Sequence, residues 1–171
     1  MTQQRQSATD QIHDPVSRVR MSFERRAENL IVDCWIEPGG KLPEHLHPRQ
    51  EERWSVIDGR IRLGLGNTKR VIGPADGEMV VTPGTKHSLE SVSDEEAHLR
   101  CLALPALGLR AFLEESAAAA REGLFMRGGV PRNLRGARWA ARFLERHRDD
   151  VVMSFPPRPV QSAMVALLGR S

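Results

Sequence analysis

Two imidazoles one residue apart, His45 and His47, are followed by a carboxylate at Glu52 and a glycine at Gly59, and a third imidazole, His87, closes the segment Gly77-Glu78-Met79-Val80-Val81-Thr82-Pro83-Gly84-Thr85-Lys86-His87. In a strand, alternation places His45 and His47 on one face, separated by about 6.6 Å along the chain, so both can reach one ion. A tight Pro83-Gly84 turn on a neighbouring strand could deliver His87 to the same point. A His-x-His pair alone is ordinarily a solvent-exposed feature. The agreement of several spacings turns it into a candidate metal site.

The elements that must position these groups are short strands. Val19, Met21 and Phe23 alternate with Arg18, Arg20 and Ser22, which predicts a half-buried strand from about Ser17. A second follows over Asn29 to Ile36 and ends at Pro38-Gly39-Gly40. Further runs at His45 to His47, Arg53 to Ile57, Arg60 to Leu65, Lys69 to Ile72, Glu78 to Thr82, Ser88 to Val92 and Ala97 to Leu104 alternate with turn signals such as Asp58-Gly59, Gly66-Asn67 and Pro83-Gly84. Many short strands at this spacing predict an all-β antiparallel sandwich or barrel over residues 14–105. Beyond Pro105 the period changes. Helices are expected from Leu109 to Ala120, from Gly136 to Arg148 and from Pro159 to Leu168, making 106–171 a helical extension packed on the barrel or on a partner subunit. Residues 1–13 lack hydrophobic periodicity and read as a flexible arm.

Composition bounds the rest. The chain has 171 residues, 40% of them hydrophobic, which suffices for one core of ordinary size. No apolar run approaches the ~20 residues of a membrane span, and Met1 to His13 do not resemble a signal peptide, so a cytoplasmic protein without a membrane partner is expected. Cys34 and Cys101 stand apart without CxxC spacing and read as buried free thiols. The net charge of +3 is unevenly spread: residues 1–120 carry 15 basic and 18 acidic side chains, residues 121–171 carry 10 and 4. Arg outnumbers Lys 22 to 3 along the whole chain, and no aromatic interleaving accompanies the basic excess. A nucleic-acid partner is therefore not expected.

The pattern Gly39-x5-His45-x-His47-x4-Glu52-x6-Gly59 resembles the first signature motif of the cupin superfamily, G(x)5HxH(x)3–4E(x)6G, at every defined position. The second family motif, G(x)5PxG(x)2H(x)3N, is met by Gly77, Pro83 and the step from Gly84 to His87. Gly84 comes one residue early, and Ser91 stands in place of the final Asn. The resemblance covers about residues 17–105 and implies a double-stranded β-helix, a small jelly roll, with a metal held by His45, His47, Glu52 and His87. It also favours a homodimer. Glu52 is preferred to Glu51 because it keeps six positions before Gly59 and shares a face with Trp54 and Val56. Glu51 and Arg53 would then form an outward surface pair, and Gln50 would support a ligand from behind.

Three neutral imidazoles and one carboxylate around a divalent ion leave a charge near +1 and about two open positions in an octahedral metal. Iron, manganese, nickel and zinc all suit such a set. Trp54, Met79, Val81, Leu89, Leu63 and Leu65 are the candidate apolar surroundings, favouring a small organic or aromatic substrate, although most of them also read as plain barrel core. Arg100 is not taken as a substrate ligand, because Leu99, Cys101 and Ala103 form the more apolar inward register. His98 and His147 are read as exposed or satisfied in the core. The functional expectation is a metal-dependent enzyme, dioxygenase-like in preference to an isomerase. The alternatives are a non-catalytic small-molecule-binding or sensor protein, or an interaction protein working through its basic helices.

Overall fold

The computed structural model describes residues 11–169; most of the expected arm, residues 1–10, lies outside the described residues. Among the described residues, eleven strands are arranged in two antiparallel sheets: β1 (Ile12–Asp14), β2 (Val19–Arg26), β3 (Asn29–Ile36), β4 (Lys41–Leu46), β5 (Glu51–Asp58), β6 (Ile61–Leu65), β7 (Thr68–Ile72), β8 (Glu78–Val81), β9 (His87–Ser91), β10 (Ala97–Leu104) and β11 (Val152–Met153). One sheet runs β1-β2-β3-β10-β5-β8 and the other β11-β4-β9-β6-β7. Three helices follow the main barrel: α1 (Leu109–Arg121), α2 (Leu134–Arg146) and α3 (Arg158–Leu168). The architecture is a double-stranded β-helix barrel with a helical C-terminal region.

Alternation decides what faces inward. In β10, Ala97, Leu99, Cys101 and Ala103 are buried, while His98, Leu102 and Leu104 are half-buried and Arg100 is exposed. Across the ladder the same inner face continues through Leu30, Val32, Cys34 and Ile36 of β3 and Glu52, Trp54 and Val56 of β5. The outer face is polar but organised. Asp33 accepts from Arg100 Nε at 3.0 Å and meets His98 Nε2 at 2.9 Å, and His98 stacks on Trp35 with ring centroids 4.8 Å apart. Arg100 and His98 are thus accounted for on the outside of the sheet.

Gly59 sits where β5 turns into β6 with φ of 82°, in the left-handed region that costs other residues strain. A Cβ there would lie 2.8 Å from the Ala97 side chain, so the turn needs both the glycine's backbone freedom and its lack of a side chain.

Two short strands were not foreseen. β1 begins at Ile12, inside the segment expected as an arm, and pairs with β2 through Ile12 against Met21 and Asp14 against Val19. β11 lies between α2 and α3 and pairs with β4, Val152 against Leu46 and Met153 against His45. Neither has the length for periodicity to show. The helices fall within two or three residues of their expected spans. The Asn133 side chain caps α2 by accepting from the Gly136 amide at 3.0 Å.

Candidate metal centre

The four residues expected at the site converge. His45 and His47 come from the end of β4 and the residue after it, Glu52 from β5 and His87 from the start of β9, where it pairs in register with His45. One donor atom from each can be chosen so that all lie within 4.8 Å of one another. The shortened second motif is accommodated at the turn. Gly84 takes φ of 79°, and its amide donates to the His47 carbonyl at 2.8 Å, tying the two motif segments together.

The rings are held from behind. Nδ1 of His45 lies 2.7 Å from the Pro43 carbonyl, Nδ1 of His47 3.0 Å from that of Asp150, and Nδ1 of His87 3.2 Å from that of Thr85. A carbonyl oxygen only accepts, so each Nδ1 carries a proton, and Nε2 is the ring nitrogen left to face the cluster. Buried at their tips, Nε2 of His47 and Nε2 of His87 approach the Glu52 carboxylate at 3.2 and 2.9 Å, without the alignment of a hydrogen bond. Two orphaned imidazole nitrogens facing a buried carboxylate are the donors a divalent cation requires. The residues present fit a metal ion.

The electrostatics agree. Burial opposes charge on Glu52, but His47 and His87 overcome it and hold its carboxyl well below the usual range. Burial likewise opposes a proton on His47, yet Glu52 and the Asp150 carbonyl raise its pKa. His45, with burial and the two other imidazoles against it, is pushed down to about 3 and is neutral at ordinary pH. Trp54 Nε1 donates to Glu52 Oε2 at 2.9 Å and fixes the carboxylate's orientation.

The site opens into a cavity of about 690 Å³. His45, His47, Glu52 and Trp54 line it on the barrel side, and Phe112, Trp139, Phe143 and Met164 on the helical side. The expected pocket is therefore displaced. Trp54 does face it, but Val81, Leu89 and Leu63 are fully buried core, and Met79 and Leu65 pack against that core. Gln50 also differs from expectation: its amide donates to the carbonyls of Pro105 at 2.6 Å and Ala106 at 2.9 Å, pinning the junction between barrel and helices. The Glu51–Arg53 surface pair forms at 2.8 Å as read. Cys34 and Cys101 are free and buried, and burial, with Glu52 adding to it, raises both thiols. His147 is buried at the C-terminal end of α2 against Phe112 and Phe143, apart from the cluster.

Sequence reasoning missed the Asp150 carbonyl. A backbone acceptor has no side-chain signature, and only the return of the chain through β11 brings residue 150 beside residue 47.

A double-stranded β-helix with three histidines and one glutamate gathered inside defines a class, and the comparisons with known proteins agree with it. The cupin-domain family model matches residues 33–104, and the chain carries a cupin-superfamily domain. An oxidoreductase of Arthrobotrys oligospora is 37% identical over 58 residues, which cover 34% of this chain and 23% of that protein. The polyketide synthase CurC of Streptomyces cyaneus is 35% identical over 78 residues, 43% of this chain and 50% of that protein. The chain thus spans at most half the length of these curated relatives. Among solved structures, an RmlC-like cupin from Shewanella frigidimarina superposes with a TM-score of 0.50 at 19% identity, covering 58% of this chain and 86% of that one, a likeness of fold.

Proposed function

We propose that the protein is a mononuclear metal-dependent enzyme acting on a small organic molecule, with a dioxygenase-like oxidation as the favoured chemistry. The observation that carries this reading is the convergence of His45, His47, Glu52 and His87 on one point at the wall of a largely apolar cavity. A purely structural ion would be enclosed by its ligands; here the cluster faces a space large enough for a substrate. The name of the Arthrobotrys relative is in keeping with oxidoreductase chemistry.

His45, His47, Glu52 and His87 would hold the ion, which would supply Lewis acidity or oxygen activation to a chelating substrate. The chain's own groups set the conditions. The three backbone carbonyls keep the Nδ1 protons in place, so each ring would offer Nε2 as its donor without reorienting. Trp54 steadies Glu52, and the aromatic side chains of the helices restrict water around bound substrate.

Metal analysis by mass spectrometry on anaerobically purified protein, with a His45→Ala/His87→Ala variant alongside, tests the reading. Near-stoichiometric iron, manganese, nickel or zinc that is absent from the variant is expected, followed by substrate-dependent oxygen uptake. Wild-type protein that stays empty after reconstitution overturns it; a loaded protein that binds small molecules without turnover replaces it with the binding or sensor alternative.

A further inference from the structure

A second cavity adjoins the first. It has a volume of about 460 Å³ and is lined by Arg18, Arg127 and Arg132 together with Pro15, Gly123 and three residues it shares with the larger cavity: Val16, Ala120 and Phe125. Among the described residues, no aspartate or glutamate lines it. The segment between α1 and α2 builds both walls. Its amide of Met126 donates to the Val130 carbonyl at 2.8 Å, and that of Arg132 to the Leu124 carbonyl at 2.9 Å, closing a small hairpin across Gly128 and Gly129. Phe125, Val130 and Pro131 of this hairpin face the metal-side cavity, while Arg127 and Arg132 face the smaller one.

The charge in the second cavity is only partly answered. Arg18 pairs with Glu37 at 3.0 Å, and Arg132 spends its Nε on the Gly123 carbonyl at 3.1 Å. Arg127 makes no ion pair or hydrogen bond among the described residues. Neighbouring Arg121 donates to the His13 carbonyl, and Glu122 is turned to Arg135. Among the described residues, the only carboxylate that neutralises the lining is thus Glu37. Guanidinium groups around a recess with free donors suit a carboxylate, sulfonate or phosphate oxygen.

Deepening the reading of the larger cavity as a substrate site, we infer that the two cavities form one amphipathic site: an apolar, aromatic body lies against Trp139 and Phe143, and an anionic group reaches past Phe125 to Arg127 and Arg132. The substrate class is then an organic anion with an extended apolar body. Neutral hydrocarbons lack a partner for the arginines, and small sugar phosphates would leave the aromatic walls uncovered.

Two probes with the same ring system separate these contributions: 8-anilinonaphthalene-1-sulfonate is anionic, and N-phenyl-1-naphthylamine is its uncharged counterpart. Their dissociation constants are to be measured by fluorescence on the full chain, as purified and after chelation. The sulfonate is expected to bind about tenfold more tightly, with one molecule per chain displaced by the neutral probe. Arg127→Gln, and Arg127→Gln/Arg132→Gln, should erase that preference while leaving the affinity for the neutral probe unchanged. Phe143→Leu should weaken both probes. Equal affinity of the two probes, or a sulfonate preference that survives Arg127→Gln, overturns the inference. Because chelation and His45→Ala/His87→Ala should leave the preference in place, an empty metal site would sink the enzymatic reading without touching this one.

Discussion

At the scale of single residues, His45 and His47 are committed to opposite protonation behaviour by where they stand. His45 is held neutral to about pH 3, whereas Glu52 draws a proton onto His47. In metal-free protein these shifts act on stability with opposite signs. Glu52 has a lowered folded pKa, so its contribution is present above its unfolded value of 4.5 and lost as the pH falls. His45, also lowered, disfavours the folded state as it is driven to charge; stability therefore rises with pH from about 3 to its unfolded value of 6.5. His47 is raised, so its contribution is complete below 6.5 and lost as the pH climbs through its folded pKa. Chelated protein should show a maximum in Tm near pH 6.5, falling on both sides. Loaded protein should lose the alkaline decline, because a coordinated imidazole is already without that proton. Metal content itself should drop on acidification as protons displace the ion. Thermal melts at a series of pH values, with and without chelator, check both statements; an alkaline decline unaffected by metal would contradict the assignment of His47 as a ligand.

At the scale of elements, α2 is placed by a close approach as well as by its apolar face. Gly136, in the first turn of α2, would put a Cβ 2.4 Å from the Leu124 carbonyl, and so fixes how tightly α2 meets the hairpin that walls both cavities. Gly136→Ala should destabilise the protein by about 1–3 kcal/mol and weaken binding of aromatic probes, measurable by denaturant unfolding and probe titration. Gly59→Ala combines a positive φ with the Ala97 contact and should cost a similar ~1–3 kcal/mol. The type of most elements was legible in their patterns: strand alternation through Ala97–Leu104 reports burial directly, and the apolar stripe of Trp139, Ala140, Phe143 and Leu144 marks the helix face that lines the cavity, with Phe143 buried and the other three half-buried. β1 and β11 were not, since strands of three and two residues exist only because a neighbouring edge pairs with them.

At the scale of the whole molecule, barrel and helices pack against one another. Asp150 holds His47, β11 extends the sheet beside His45, and Gln50 fastens Pro105 and Ala106 to the barrel wall. Leu109 and Val151 belong to the barrel's own apolar core. Ending the chain at Pro105 should therefore uncover the cavity, release the Nδ1 partner of His47 and give a protein that aggregates and retains less metal; size-exclusion chromatography with metal analysis tests this. A soluble, equally stable and fully loaded barrel would show the helices to be dispensable. Apolar side chains remain exposed in the helical region, Leu167 at 79% and Phe155 at 65%, and a homodimer formed through them is the expected state, to be read from the mass in solution.

Some of this protein was determined by its sequence alone. His45, His47, Glu52 and His87 could be chosen because their spacing from Gly39, Gly59 and Gly84 resembles a family's signature motifs, with strand alternation in support, and both signals are local in the chain. The location of the cavity, the carbonyl behind His47, the role of Gln50 and the arginine-lined recess were decided only by tertiary structure. Each depends on contacts between segments far apart in sequence, such as residues 47 and 150 or 50 and 105, and several run through backbone atoms that every residue possesses. A pattern of side chains can announce a donor set; only the folded chain determines what surrounds it.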